Sequence, residues 1–247
     1  MGAGRIIKFQ YEDSKRSLSK FWAVLLVVDI LLYVLNKSNV LGGSLGMSQY
    51  SGGVSSLSIM GANLMAIFIY LIVYNYENFY KNFPLALSFS ITRQDFFKSI
   101  LVKNLGISLT LGMIQGLLLT IDAPLVRSIG RVPIVEFVLF NTELDKAIYI
   151  IFAISIVFLT FLSLWSVVAA LNYRFGYIIW IIFVAIQFLL ERLNLAHIYN
   201  NIFQYIFNLF FNRIDLGSFL QLFLIILISH GLTYIITINT DIQYKSA

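Results

Sequence analysis

The sequence predicts an all-α integral membrane protein with six spanning helices, and three observations carry that expectation. Of 247 residues, 59% are hydrophobic and only 12% charged. A soluble domain carries about twice that charge, and so little polar surface would not cover a water-soluble globule. Six segments are near the length of about 20 apolar residues that crosses roughly 30 Å of hydrocarbon. They run from Lys20 to Val40, Leu57 to Tyr74, Ser99 to Ile121, Ile148 to Leu171, Phe175 to Leu190 and Ser218 to Ile238. None alternates polar and apolar residues over about ten positions, as a barrel strand does.

Orientation follows from the cations near the ends of the runs. One side collects Arg5, Lys8, Lys15, Arg16, Lys20, Lys81, Arg93, Lys98, Lys103, Arg174 and Lys245, eleven in all. The other holds six: Lys37, Arg127, Arg131, Lys146, Arg192 and Arg213. Six crossings place both termini on the richer side, so a multi-pass plasma-membrane protein with cytoplasmic N- and C-termini is expected. The net charge of +5 comes from these flanking positions rather than from one patch, which argues against nucleic acid as a partner. No small-residue cleavage motif follows Leu35, so the first run reads as a span and not as a signal peptide.

Other chemistry is excluded by what is missing. There is no cysteine and there are two histidines, which removes disulfides, thiolate metal sites and thiol nucleophiles and leaves no basis for a metal centre. No Ser/His/Asp set or paired-carboxylate site stands out, so catalysis and resident cofactors are not expected of this chain.

The connections carry the rest, within one permease domain over 1–247. Residues 1–19 place Ile7, Tyr11 and Leu18 on one face and Lys8, Glu12 and Arg16 on another, predicting a helix along the inner leaflet. The glycine- and serine-rich stretch from Gly42 to Gly53 has no apolar periodicity and predicts a mobile external loop. Asp122, Pro124, Pro133, Glu136, Glu143 and Asp145 predict a second external loop. Residues 82–98 read NFPLALSFSITRQDFFK. Asn82 is expected to cap a short helix with Pro84 in its first turn, and Thr92 to cap the next, with Asp95 at the positive helix end. Two successive caps turn the chain sharply and present a short, partly apolar helix beyond the membrane surface, which calls for a partner.

An amphipathic N-terminal helix, six spans with both ends inside, and ALSFSITRQDFF between the second and third spans together resemble the membrane subunits of ABC-2-type ABC transporters of Gram-positive bacteria. The resemblance covers the whole chain in architecture, with its motif confined to residues 83–97, and within the family it is nearest to exporters of the phenol-soluble modulin and antimicrobial peptide type. It implies that the knuckle is a coupling helix, in which Phe83, Leu85, Leu87, Phe89 and Arg93 dock on a separate ATPase subunit. The chain has no G-x-x-x-x-G-K-[ST] loop, so ATP and Mg would be held by that partner. A second permease, identical or not, would complete the pathway, and the uncharged spans suit hydrophobic or amphipathic cargo, peptides foremost. An ion-coupled secondary transporter and a non-transport immunity or sensory subunit are the alternatives.

Residues 193–217 include Asn200, Gln204 and Asn208 as a narrow uncharged stripe among aromatic and aliphatic residues. That pattern predicts an interfacial or re-entrant helix, and the resemblance implies an external gate there. Asp29 sits about 13 Å along its helix from Lys20, where a carboxylate must be paired, hydrated or protonated. It lines a path, pairs with Lys103 or serves a proton relay. Asn63, Gln115 and Gln187 are uncharged polar groups inside spans, open to a cavity or to interhelical hydrogen bonding. Ser108, Gly112 and Gly116, four apart, predict close helix packing, and His230 a packing histidine.

Overall fold

A computed structural model describes residues 2–38, 45–51, 54–137, 139–193, 196–211 and 213–240. Eight α-helices dominate the described residues: α1 Gly2–Ser38, α2 Asn63–Glu77, α3 Phe83–Ser88, α4 Arg93–Ser128, α5 Ala147–Phe175, α6 Ile178–Arg192, α7 Ala196–Phe211 and α8 Leu216–Ile238. The described strands are short: β1 Met47–Ser51, β2 Val54–Ser58, β3 Val132–Pro133, β4 Glu136–Phe137 and β5 Phe140–Asn141. Four helical stretches are long and apolar enough to cross a bilayer: Ser14–Ser38, Arg93–Ser128, Ala147–Phe175 and Leu216–Ile238. The chain is thus an all-α membrane protein. The expected second and fifth spans fall on α2 and α6, each of 15 residues, or about 22 Å of helix against roughly 30 Å of hydrocarbon.

Four side-chain contacts fix the direction of the helices. At one end of the bundle Arg93, starting α4, donates from Nη1 to the Ile238 carbonyl that ends α8 at 2.7 Å, and Tyr80 donates to Asn172 O near the end of α5 at 3.1 Å. At the other end Tyr33 of α1 and Ser128 of α4 share a 3.1 Å hydrogen bond, and Tyr149 at the start of α5 donates to Ile214 O just before α8 at 3.2 Å. Consequently α1 and α4 run one way and α5 and α8 the other.

Several boundaries differ from expectation. Residues 2–38 form one continuous helix, so no break near residue 19 separates an interfacial helix from the first span. The glycine- and serine-rich loop is partly folded: β1 and β2 pair as an antiparallel hairpin and β3 adds in parallel through Ser56 and Leu57, while 39–44 and 52–53 lie outside the described residues. Leu57 and Ile59, assigned to a span, instead pack on Val126 under this small sheet. The helix of the third span continues through Asp122 and Pro124 to Ser128, so Asp122 is not a loop residue. Pro124 removes one backbone bond, the one to Thr120 O, and the burial of Asp122, Ala123 and Val126 around it carries the helix past that gap. The fifth run is broken at Gly176, whose φ of +65° only glycine adopts freely.

The α4–α5 packing forms the spine. A Cβ on Gly112 would lie 2.9 Å from Ser155 Cα, and one on Gly116 3.1 Å from Ile151 Cα. The small-residue stripe therefore serves contact within the subunit. Around this spine lie two large apolar cores besides the small cluster of Leu57, Ile59 and Val126. The main one includes Trp22, Leu25, Ile67, Leu71, Leu111, Leu162 and Leu222. The second, at the Arg93 end, includes Phe79, Phe83, Ile91, Phe96, Ile100, Ala169 and Tyr173.

Candidate functional site

The knuckle is built on the second core. After α2 the helix continues through a π-helical turn, Asn78–Asn82, into the six residues of α3. Asn82 is not a cap: it has helical dihedrals and its Nδ2 donates to Asn78 Oδ1 at 3.2 Å. What ends α3 is a Schellman motif. Ile91 N donates to Ala86 O at 3.2 Å and Ser90 N to Leu87 O at 3.0 Å, with Ser90 at φ +57°. Ile91 and Ala86 are both buried in the second core, supplying the hydrophobic contact that accompanies this motif. Thr92 follows at once as the N-cap of α4, accepting from Asp95 N at 3.1 Å in agreement with the sequence pattern.

This geometry divides the five expected docking residues. Phe83 is 0% exposed, with its ring 5.0 Å from that of Phe96 and 5.5 Å from that of Tyr173, so it anchors the knuckle and faces no partner. Arg93 places its guanidinium on the last carbonyl of α8, a favourable position for a cation. Leu85 and Leu87 are half-buried, and Phe89 at the tip is 68% exposed.

Three of the four intramembrane polar candidates converge at the opposite end. Asp29 is 2% exposed and Asp122 is 1% exposed. Asn63 Nδ2 donates to Asp29 Oδ2 at 2.9 Å. Asp122 accepts from Ser58 Oγ at 2.6 Å and from the backbone N–H groups of Ile59 and Met60 at 3.2 and 3.0 Å. Gln115, two turns earlier on the same face of α4, donates to Met60 O at 2.7 Å. The carboxylate thus satisfies the otherwise orphaned donors where the helical path of α2 begins, and does so from another helix. Gln187 lies apart, exposed on α6. Asp29 does not meet Lys103, which donates to Asn78 Oδ1 at 2.9 Å and sits 5.0 Å from the Tyr74 ring centroid at the knuckle end.

A layer of polar side chains separates the two cores. Asn75 accepts from Ser166 Oγ at 2.7 Å and donates to Leu162 O at 3.4 Å, and Asn104 Nδ2 donates to Ser166 Oγ at 3.2 Å. His230 on α8 lies 3.0 Å from Ser163 Oγ on α5. Among the described residues no group of three or more His, Asp or Glu is placed to hold a metal.

Asn200, Gln204 and Asn208 are exposed along α7. Just beyond α7, Arg213 binds Asp145 at 2.6 Å, near the start of α5, and Arg127 pairs with Glu143. Residues 194–195 and 212 of the expected re-entrant region lie outside the described residues.

Neither a family model, nor a curated protein, nor a solved structure matches this chain. Function therefore rests on the geometry and on the resemblance carried by the knuckle motif. Three features lie beyond the sequence expectations: the buried role of Asp122, the Asn78–Lys103 bond and the Ser163–His230 pair. The seven-residue spacing of Gln115 and Asp122 is the available signal for the first, since it keeps both on one helical face.

Proposed function

We propose that the chain is the membrane subunit of an ATP-driven exporter of the ABC-2 type, moving hydrophobic or amphipathic cargo, foremost peptides, with ATP hydrolysed by a separate subunit. In this reading α1, α2, α4, α5, α6 and α8 are six passes of the plasma membrane. Both termini and the knuckle are cytoplasmic, and α7 lies at the external face near the exit. A second permease lines the other side of the pathway.

The observation that carries the reading is the knuckle itself. A six-residue helix is too short to be stable alone, yet this one is held by its own apolar core, by a Schellman motif and by the Thr92 cap, and it ends in an exposed phenylalanine. Such an arrangement suits a rigid peg that receives force from a partner. The contact surface is Leu85, Leu87 and Phe89, with Phe83 and Arg93 supporting it from within.

The ion-coupled alternative gains one observation, because Asp122 joins Asp29 inside the bundle. Asp122 is already bonded to a hydroxyl and to two backbone N–H groups that begin a helix, so Asp29 is the one acid of the two left to carry protons with His230.

The test is co-expression with P-loop ATPases from the same genome, followed by ATP-driven uptake of an amphipathic peptide into inside-out vesicles. Phe89→Asp is expected to lose both the complex and uptake while the membrane subunit stays folded. Uptake that persists in Phe89→Asp, or that follows an ion gradient without ATP, contradicts the reading.

A further inference from the structure

The polar layer crosses the molecule at one level. On α2 it follows Leu71 and Tyr74 and precedes Phe79, on α4 it lies between Ile107 and Ile100, and on α5 it lies between Leu162 and Ala169. Its members on these helices are Asn75, Asn78, Lys103, Asn104 and Ser166, with His230 bringing in α8. Ser163 Oγ donates to Leu159 O at 2.7 Å, so the 3.0 Å contact with His230 is donated by the imidazole Nε2–H. That leaves His230 Nδ1 a bare acceptor. Asn82 Oδ1 and Asn104 Oδ1 are also buried without a protein partner. Two orphaned acceptors in the layer, with Asn82 Oδ1 a turn beyond it, suit bridging water.

The helical path of α2 changes at this same level. Phe83 N bonds to Asn78 O, five residues back, whereas α4 and α5 pass the layer unbroken. A π-turn holds one residue more than the α-helical register, and its conversion to α-helix rotates the downstream segment by about 100°. Apolar cores resist gradual deformation because they are densely packed. Side-chain hydrogen bonds yield more easily because they can exchange partners, and this layer is made of them, with the Lys103 ammonium and the His230 imidazole among its amides and hydroxyls.

We propose that this layer is a joint, in which the knuckle core moves as a unit relative to α2, with the π-turn as pivot and the bonds to Asn78 Oδ1 setting its resting position. Asn78 is a positioning residue: it accepts from Lys103 across to α4 and from Asn82 within the turn. The joint deepens the reading of the knuckle as a motor-driven peg, but its test uses the membrane subunit alone, so either can fail without the other.

The chain contains no cysteine, so two introduced thiols can be spin-labelled without background. Met65 on α2 and Ser88 at the end of α3 are both exposed. In the full chain in lipid nanodiscs, the Met65→Cys/Ser88→Cys pair should give one distance peak. Adding Asn78→Ala should shift or split that peak, and adding Val73→Ala, an exposed α2 position outside the layer, should leave it unchanged. Hydrogen exchange on the unsubstituted chain needs no tolerance of mutation: the Phe79–Phe83 amides should exchange about tenfold faster than those of 67–74. Equal exchange in the two segments, or the same distance response to Val73→Ala and Asn78→Ala, overturns the joint.

Discussion

The two ends of the bundle bury polar groups in opposite ways. At the Ser128 end one carboxylate, Asp122, gathers a hydroxyl and two backbone N–H groups and fixes the point where a helix begins. At the Arg93 end amides, hydroxyls, a lysine and a histidine bond to one another and to backbone carbonyls, while buried acceptors without a partner occur at both ends, Asp29 Oδ1 and Gln115 Oε1 among them. Bonds from buried backbone donors to a carboxylate are costly to lose, because their loss strands the donors. Bonds among amide and hydroxyl side chains inside a membrane protein average well under that, with Lys103 lending the second end one charge-assisted bond. The first end is built to stay, the second to give.

Asp122→Leu is the change that should test this contrast hardest. It strands three buried donors at the start of α2, and a loss of about 3 kcal/mol is expected, seen as a large fall in Tm in nanodiscs. Asp122→Asn keeps one acceptor oxygen and should recover part of it. A smaller loss than for Asn78→Ala would reverse the comparison.

Between the ends, the α4–α5 spine should respond next. Gly112→Ala drives a methyl to 2.9 Å from Ser155 Cα, and an overpacking cost of about 2 kcal/mol is expected. Gly106→Ala, with nothing within 4 Å of its added methyl, is the matched control and should not destabilise. Equal losses would mean that the spine is not the tight contact described.

At the knuckle, Ser90 adopts the left-handed conformation without being glycine. Ser90→Gly should therefore raise Tm, by the equivalent of about 1 kcal/mol, with Ser90→Val moving it the other way. The smallest effect lies at the opposite end, where Asp215 caps α8 and accepts from Ser218 N at 2.7 Å. Hydrogen bonds from Ser218 hold its carboxyl below its ordinary value of 3.8. A depressed carboxyl stabilises the folded state above its unfolded-state pKa and loses that contribution as pH falls through the folded one. Acid titration of Tm should be flatter below about pH 4 in Asp215→Asn.

Most of the long helices were legible because twenty apolar residues in a row have few other fates. The Thr92 cap was legible too, since a hydroxyl three residues before Asp95 signals a helix start. Asp122 was not: next to Pro124 it resembled a loop, and only its contact with Ser58, 64 positions away in sequence, explains its burial. The π-turn left no local signal, because Asn78–Asn82 has ordinary helix-end composition and its side-chain partners include Lys103 and Asn172, far away in sequence. Phe83 and Phe89 looked alike as exposed aromatics of one short helix. The turn before α3 decides which enters the core.

In the proposed function, force enters the bundle at the exposed tip of α3. The sharpest measurement is thiol crosslinking of an assembled, peptide-transporting complex with its ATPase, using Phe89→Cys at one end of the bundle and Leu144→Cys, 83% exposed at the other. The expected result is a crosslink to the ATPase from position 89 and none from position 144. A transporting complex that crosslinks from 144, or from neither site, contradicts the account.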